Sequence, residues 1–450
     1  MAIELRLRSA QRTQEAVRNW TEPPRRWLAI AANPRLLQIL EILRPLGWLV
    51  LLAPILLALL NGLPFALGNN ATLSLNLAGS FAVHMSLRPS RKDILATAVI
   101  AGVLRALYLW LVGPIGPYFG STWISWGSFL GLASLLTLGV RALSTRDIGR
   151  PSALKNFWAA SLFLYGWVVL VFALNLTPHT LPGAMDRFLY AFDGSLGFEP
   201  SFAAGRVLAG MPLLQSLTIV QYQALMLGVA IVYGWQSKQP IDGSPRMLPA
   251  FVSMMIAGYC LYHLCPAAGP VYGFGPLFPQ RPPEFLHMAL VRIPLDSAAR
   301  NAMPSLHIGT ALLIWWHSRG SHWVGRLLAG LFLLATAFST MATGQHYFID
   351  LVVAFPFTMA VQAAWARLIP ITARARYLPL VTGTSITFAW LALLRFGTSW
   401  MFYSPVLPWL LVASTVIYSL SAEMKLNAAC LKMTSVGSGF VPCNRAPAQV

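Results

Sequence analysis

Apolar runs as long as a membrane is thick recur along this chain, and no other feature limits its fold more. Several extend for about 20 residues, the length a helix needs to cross a roughly 30 Å hydrocarbon core. Of the 450 residues, 56% are hydrophobic and only 10% charged, whereas soluble chains carry about a quarter charged residues. In lipid every backbone polar group needs a partner within the protein, so only helices and closed barrels can span. Barrel strands alternate apolar and polar residues, and this sequence shows no such alternation. The expected class is all-α, a polytopic helical membrane protein.

Hydropathy places about twelve spans near 46–66, 71–87, 94–113, 122–141, 156–176, 216–235, 247–265, 305–317, 326–342, 346–366, 378–395 and 405–421. The second and eighth are the weakest, being short or polar (Asn76, His84; His307, His317). Charge gives an independent test. With alternate loops assigned to opposite sides, 25 of the 32 Lys and Arg fall on the side of the N-terminus, among them every lysine. The opposite side holds Arg187, Arg206, Arg281, Arg292, Arg300 and Arg395. Cytoplasmic loops concentrate Lys and Arg, so both termini are expected in the cytoplasm of a multi-pass protein of the plasma (inner) membrane. The net charge of +18 follows from that asymmetry and calls for no nucleic-acid partner.

The expected organisation has three parts. Residues 1–45 form a cytoplasmic segment in which "NPRLLQILEIL" can lie as an amphipathic helix on the membrane surface. Residues 46–421 form the transmembrane domain, with a catalytic core over about 156–370. Residues 422–450 read as a disordered cytoplasmic tail. The long polar, Arg-rich N-terminal stretch does not read as a cleavable signal. The four cysteines contain no Cys-x-x-Cys pair, so neither a zinc site nor a redox motif is indicated.

Two outer loops, about 177–215 and 266–304, are long, and they hold five of the six outer arginines. The second loop leads into "NAMPSLHIGT", which sets His307 at the mouth of an apolar helix. Further on, "TGQHYFIDLV" carries His346 and Asp350 four residues apart, a spacing that stacks them on one helix face. A carboxylate beside an imidazole fixes its tautomer and raises its basicity, leaving the other nitrogen free as nucleophile or base. A histidine in a membrane can simply bond a neighbouring helix. Three ionisable groups at one predicted depth on two spans instead make a candidate site. Pro304 and Ser305 open the His307 helix, where proline is favoured and free amides attract phosphate.

At these residues the sequence resembles the type 2 phosphatidic acid phosphatase superfamily of lipid phosphatases and phosphotransferases. Its P-S-x-H motif is matched by Pro304, Ser305 and His307, and its S-R-x5-H-x3-D motif by Ser339, His346 and Asp350. The resemblance implies that His346 attacks phosphorus and forms a phosphohistidine. Asp350 orients His346. His307 protonates the leaving alcohol and then activates the acceptor, with no metal and no cofactor. Two cations of the family pattern are missing: Thr340 stands at the motif's arginine, and an alignment on Arg281 and Pro282 puts Phe274 at the lysine. Phosphate charge still needs balancing. Arg300, seven residues before His307, is the first substitute expected, and Arg281 the second.

The missing cations and "HYFIDLVVAF" resemble the branch of inositol phosphorylceramide and sphingomyelin synthases. "CPAAGPVYGFGPLFP" and "DGSLGFEPS" resemble bacterial members of the former. That resemblance implies a transferase taking a phospho-headgroup, such as inositol phosphate, from a phospholipid donor to a lipid alcohol acceptor in sphingolipid metabolism. A lipid phosphate or prenyl diphosphate phosphatase shares the phosphoenzyme. A lipid or small-solute transporter is the alternative of another class, although its polar groups would sit at the midplane.

Overall fold

The computed structural model describes residues 71–113, 124–146, 149–239, 246–404 and 406–437. The expected interfacial helix within 1–45 and the span at 46–66 lie outside the described residues.

Four helices come first: α1 (Ala71–Ser86), α2 (Arg91–Leu111), α3 (Trp126–Ser144) and α4 (Arg150–Thr180). Ser90 and Asp93 close a reciprocal capping box at the start of α2, satisfying amides that the first turn leaves free. Then come α5 (Asp186–Gly194), α6 (Pro200–Ala209), α7 (Pro212–Gln223), α8 (Leu225–Gln236) and α9 (Met247–Tyr262). The last group is α10 (Leu306–His317), α11 (Trp323–Ala342), α12 (Phe348–Trp365), α13 (Arg374–Phe396) and α14 (Val406–Gly437). The protein is all-α apart from one small antiparallel pairing, in which β1 (Gly183–Ala184) meets β2 (Ile293–Pro294). That pairing joins the two long loops, and the first of these is itself largely helical, as α5, α6 and the start of α7.

By helix length and hydropathy this is a multi-pass membrane protein, but with seven or eight candidate spans among the described residues in place of about twelve. Three of the expected spans are too short. α1 and α9 have 16 residues each and α10 has 12. At 1.5 Å per residue, 12 residues rise only about 18 Å. The span expected at 216–235 is a broken one, with α7 and α8 meeting at a 50° bend. α10 is apolar because protein surrounds it: ten of its 12 residues are buried. α12, with 14 of 18 residues buried, lies beside it. Hydropathy registers burial in either solvent, and this is why the sequence overcounts.

The stretch expected to be disordered from 422 continues as helix to Gly437. Its "AEMKLNAACLKM" is rich in helix formers, and Leu426 and Cys430 bury against Ala363, Ala366 and Ile369.

Hydrogen bonds fix the orientation of the core helices. His307, at the start of α10, meets His346, just before α12. His317, at the end of α10, bonds Gln362 near the end of α12 at 3.0 Å and Gln236 of α8 at 2.8 Å. α10 and α12 therefore run parallel, and α11 carries the chain back from the end of one to the start of the other.

Candidate active site

Each histidine is held by the way its helix begins. Ser305 is the N-cap of α10, its hydroxyl accepting the Ile308 amide at 3.3 Å. This places His307 in the first turn. His346 lies in the short connection between α11 and α12. Gly344 turns the chain there with φ +71°, a region that favours glycine. The Gln345 and His346 amides both donate to the Thr340 carbonyl at 3.1 Å. From the other side, the Ser201 hydroxyl donates to the His346 carbonyl at 2.9 Å.

The two rings meet at 3.2 Å, His307 Nδ1 to His346 Nε2. The neighbours of His346 decide where the protons are. Its Nδ1 faces the Ala302 carbonyl at 2.9 Å and the Asp350 carboxylate at 3.4 Å. Both can only accept from a neutral network, so Nδ1 carries the proton and Nε2 presents its lone pair. The donor across the 3.2 Å contact is then His307 Nδ1–H. A nucleophilic nitrogen and a proton source face each other before any substrate arrives.

Asp350 is close to His346 but is not its nearest partner. Its Oδ2 accepts the Tyr347 amide at 2.8 Å and stands beyond ordinary hydrogen-bond length from the imidazole. The Ala302 carbonyl, invisible in a sequence, takes the shorter bond. Two further carboxylates brace the turn. Asp193 accepts the Phe348 and Ile349 amides at 2.7 and 3.0 Å, so the free amides of α12 are already taken. Asp186 accepts the Tyr347 hydroxyl at 2.9 Å and the Gly269 amide at 2.8 Å. Burial pushes the Asp186 carboxyl up to about 6 against the pull of these donors, and it pushes Asp193 well above the carboxylate range. The stretch "DGSLGFEPS" held a clue, since it begins at Asp193 and includes Ser201.

Arg300 does not serve as expected. It is fully buried, and its guanidinium donates to the backbone carbonyls of Leu181 (3.0 Å), Pro182 (3.2 Å), Leu295 and Ala298. Carbonyls in irregular loops need donors, and one planar fork supplies four of them. Arg300 therefore clasps the two long loops together, with four of its five N–H donors engaged. Arg281 stays exposed on the second loop. Ser305 is fully buried as a helix cap.

One residue that the motif reading missed is Tyr222, whose ring stacks on His307 with centroids 4.1 Å apart and planes 26° from parallel. "QYQ" at 221–223 interrupts an apolar run, and polar groups inside a span are a signal in themselves. Gln221 binds Ser339 and Thr336 of α11 at 2.7 Å each, which fixes the end of α7 beside the site. Among the described residues no group of three or more His, Cys, Asp or Glu is arranged to hold a metal ion.

With paired imidazoles and a neighbouring carboxylate established, the comparison with known families becomes specific. Residues 187–364 match the family model of the PAP2 superfamily. This segment is a PAP2 superfamily domain. It contains His307, His346 and Asp350. PAP2 superfamily members are generally phosphatases and phosphotransferases with a His/Asp catalytic site. The match supports that kind of activity here, and nothing in it singles out the inositol phosphorylceramide synthase-like branch. No curated protein and no solved structure is significantly similar to the chain.

Proposed function

We propose that this protein is a membrane phosphotransferase that moves a phospho-headgroup from a phospholipid to a lipid hydroxyl through an adduct on His346. The observation that carries the proposal is the 3.2 Å contact in which one imidazole presents a lone pair and the other a proton. In the first step His346 Nε2 bonds to phosphorus, the P–O bond to the lipid alcohol breaks, and His307, charged as the imidazolium beside the bound phosphate, passes one proton to the leaving oxygen and becomes neutral. In the second step the acceptor hydroxyl gives its proton to His307, its oxygen bonds to phosphorus, and the N–P bond breaks. Each histidine returns to its starting state. The roles are those of a nucleophile and a separate acid/base.

Ala302 and Asp350 keep the proton on Nδ1 throughout, and Asp350 offsets charge on the adduct. Arg281 is proposed as the cation that meets the incoming phosphate. The asymmetry of Lys and Arg favours an extracytoplasmic site, since the basic 318–326 connection follows the far end of α10. An inositol phosphate donor is the specific form of the proposal, and it rests on the branch resemblance alone. Water in place of the acceptor makes the same machinery a phosphatase, and the family match accommodates that reading equally.

The test is turnover of labelled phosphatidylinositol by purified protein in detergent, with and without diacylglycerol or ceramide. Transfer of labelled headgroup to either acceptor supports the proposal. Release of free inositol phosphate alone identifies the hydrolase, and no reaction with any phospholipid refutes both.

A further inference from the structure

A cavity of about 480 Å³ lies between α6, α7 and the end of α11, within the size range of small-molecule sites. Two of its lining residues reach the catalytic pair. Tyr222 forms part of its wall and stacks on His307, and Gln345 forms another part and immediately precedes His346. The opposite wall opens outward: Ile219 lines the cavity and is 40% exposed, on the first half of the broken span. The cavity thus lies between an exposed apolar side chain of α7 and the ring that covers His307.

Its chemistry is selective. Among the described residues that line it there is no Lys, Arg, Asp, Glu or His. The polar groups are the amides of Gln215, Gln223 and Gln345 and the hydroxyls of Tyr222 and Thr343, on an otherwise apolar wall. Neutral amides bond a hydroxyl well and give no counter-charge to an ammonium or carboxylate, whose unpaired burial is strongly unfavourable.

We infer that this cavity is the acceptor site, and that it takes an uncharged long-chain alcohol, delivered sideways from the bilayer with its hydroxyl toward His307. The inference rests on the phosphotransfer reading above. It assigns Tyr222 a positioning role: its ring packs on the acid/base imidazole and forms part of the wall along which the hydroxyl approaches His307. As the P–O bond to the acceptor forms, the hydroxyl proton passes to His307 and the N–P bond to His346 breaks, so the step balances without a further reactant.

The test follows product partition in purified protein supplied with a labelled phospholipid donor and dodecan-1-ol in detergent. The readout is the ratio of alkyl phosphodiester to water-derived product, which cancels any change in the donor step. Ile219→Trp narrows the cavity from its exposed side, and Gln223→Leu removes an amide. Each should lower the ratio about 10-fold. In the unaltered protein, 2-aminododecan-1-ol, charged beside its hydroxyl, should be at least about 10-fold poorer than dodecan-1-ol, a comparison that does not depend on any variant folding. An unchanged ratio in both variants, or equal use of the two alcohols, overturns the acceptor site while leaving phosphotransfer intact. Water product alone overturns it in favour of hydrolysis. Absence of any product or His346 adduct refutes the underlying reading itself.

Discussion

α2 and α12 are both long and apolar enough to cross a bilayer, yet they face different solvents. In α2 only Thr97, Ala101 and Tyr108 are buried, and Leu95, Val99, Val103 and Trp110 lie open. In α12 burial runs almost unbroken from Ile349 to Ala363. One helix meets lipid and the other meets protein. The polar groups of the site gather at the start of the second kind, where carboxylates from α5, a hydroxyl from α6 and a loop carbonyl reach them. A lipid-facing helix has no such partners to offer. Chemistry in this fold belongs to the helices that lipid does not touch.

The contrast is broken most severely at the start of α12. His346→Ala should lower turnover by about 10³-fold or more, with the thermal unfolding midpoint in detergent showing that the protein still folds. Near-normal rates would remove the nucleophile from the account. His307→Ala should cost about 10²–10³-fold, less for a donor whose leaving group needs no proton. Equal losses on such a donor and on an ordinary phospholipid would argue against an acid role. Asp350→Asn should cost only about 10–100-fold, because the Ala302 carbonyl still holds the imidazole tautomer. A loss as large as that of His346→Ala would make the carboxylate the dominant partner after all.

Two glycines sharpen the same comparison through stability. Gly383 of α13 lies against α12, and a methyl group there would stand 2.6 Å from the Pro356 carbonyl oxygen. Gly102 of α2 has nothing within 4 Å of that position. Gly383→Ala should destabilise by about 1–3 kcal/mol, and Gly102→Ala should be neutral or stabilise by up to about 1 kcal/mol. Equal shifts in unfolding midpoint would contradict the packing described. The smallest effect expected concerns Glu199, whose Oε2 is buried without a hydrogen-bond partner among the described residues. Burial raises its pKa from 4.5 to about 7. The native state therefore holds the proton longer than the unfolded chain. Its contribution to stability is full below about 4.5 and is lost as pH rises through about 7. Glu199→Gln should flatten that part of a stability profile, and an unaltered slope would show that the carboxyl is solvated.

The motifs made His307, His346 and Asp350 legible because a His and an Asp four residues apart and a histidine after Pro-Ser are patterns in sequence, although His346 proves to precede α12 instead of sharing a helix face with Asp350. Their convergence is a matter of structure. The span count was not legible, since the short α10 owes its hydropathy to a protein interior and α2 owes its own to lipid. Arg300 shows a second limit: an arginine in a loop looks the same whether it binds phosphate or backbone carbonyls. The Ala302 carbonyl shows a third, because any residue could supply that acceptor. Asp193 and Tyr222 fall between these cases. Both stood out as polar residues in unusual places, but nothing in their spacing named the turn or the ring they support.

The most direct test of the central claim is to quench the purified protein during turnover of a labelled phospholipid and locate the label by mass spectrometry. The account predicts an acid-labile, base-stable adduct on His346, retained when His307 is alanine and the donor has a good leaving group. Label on any other residue, or full turnover with no covalent adduct under conditions that trap one, would contradict it.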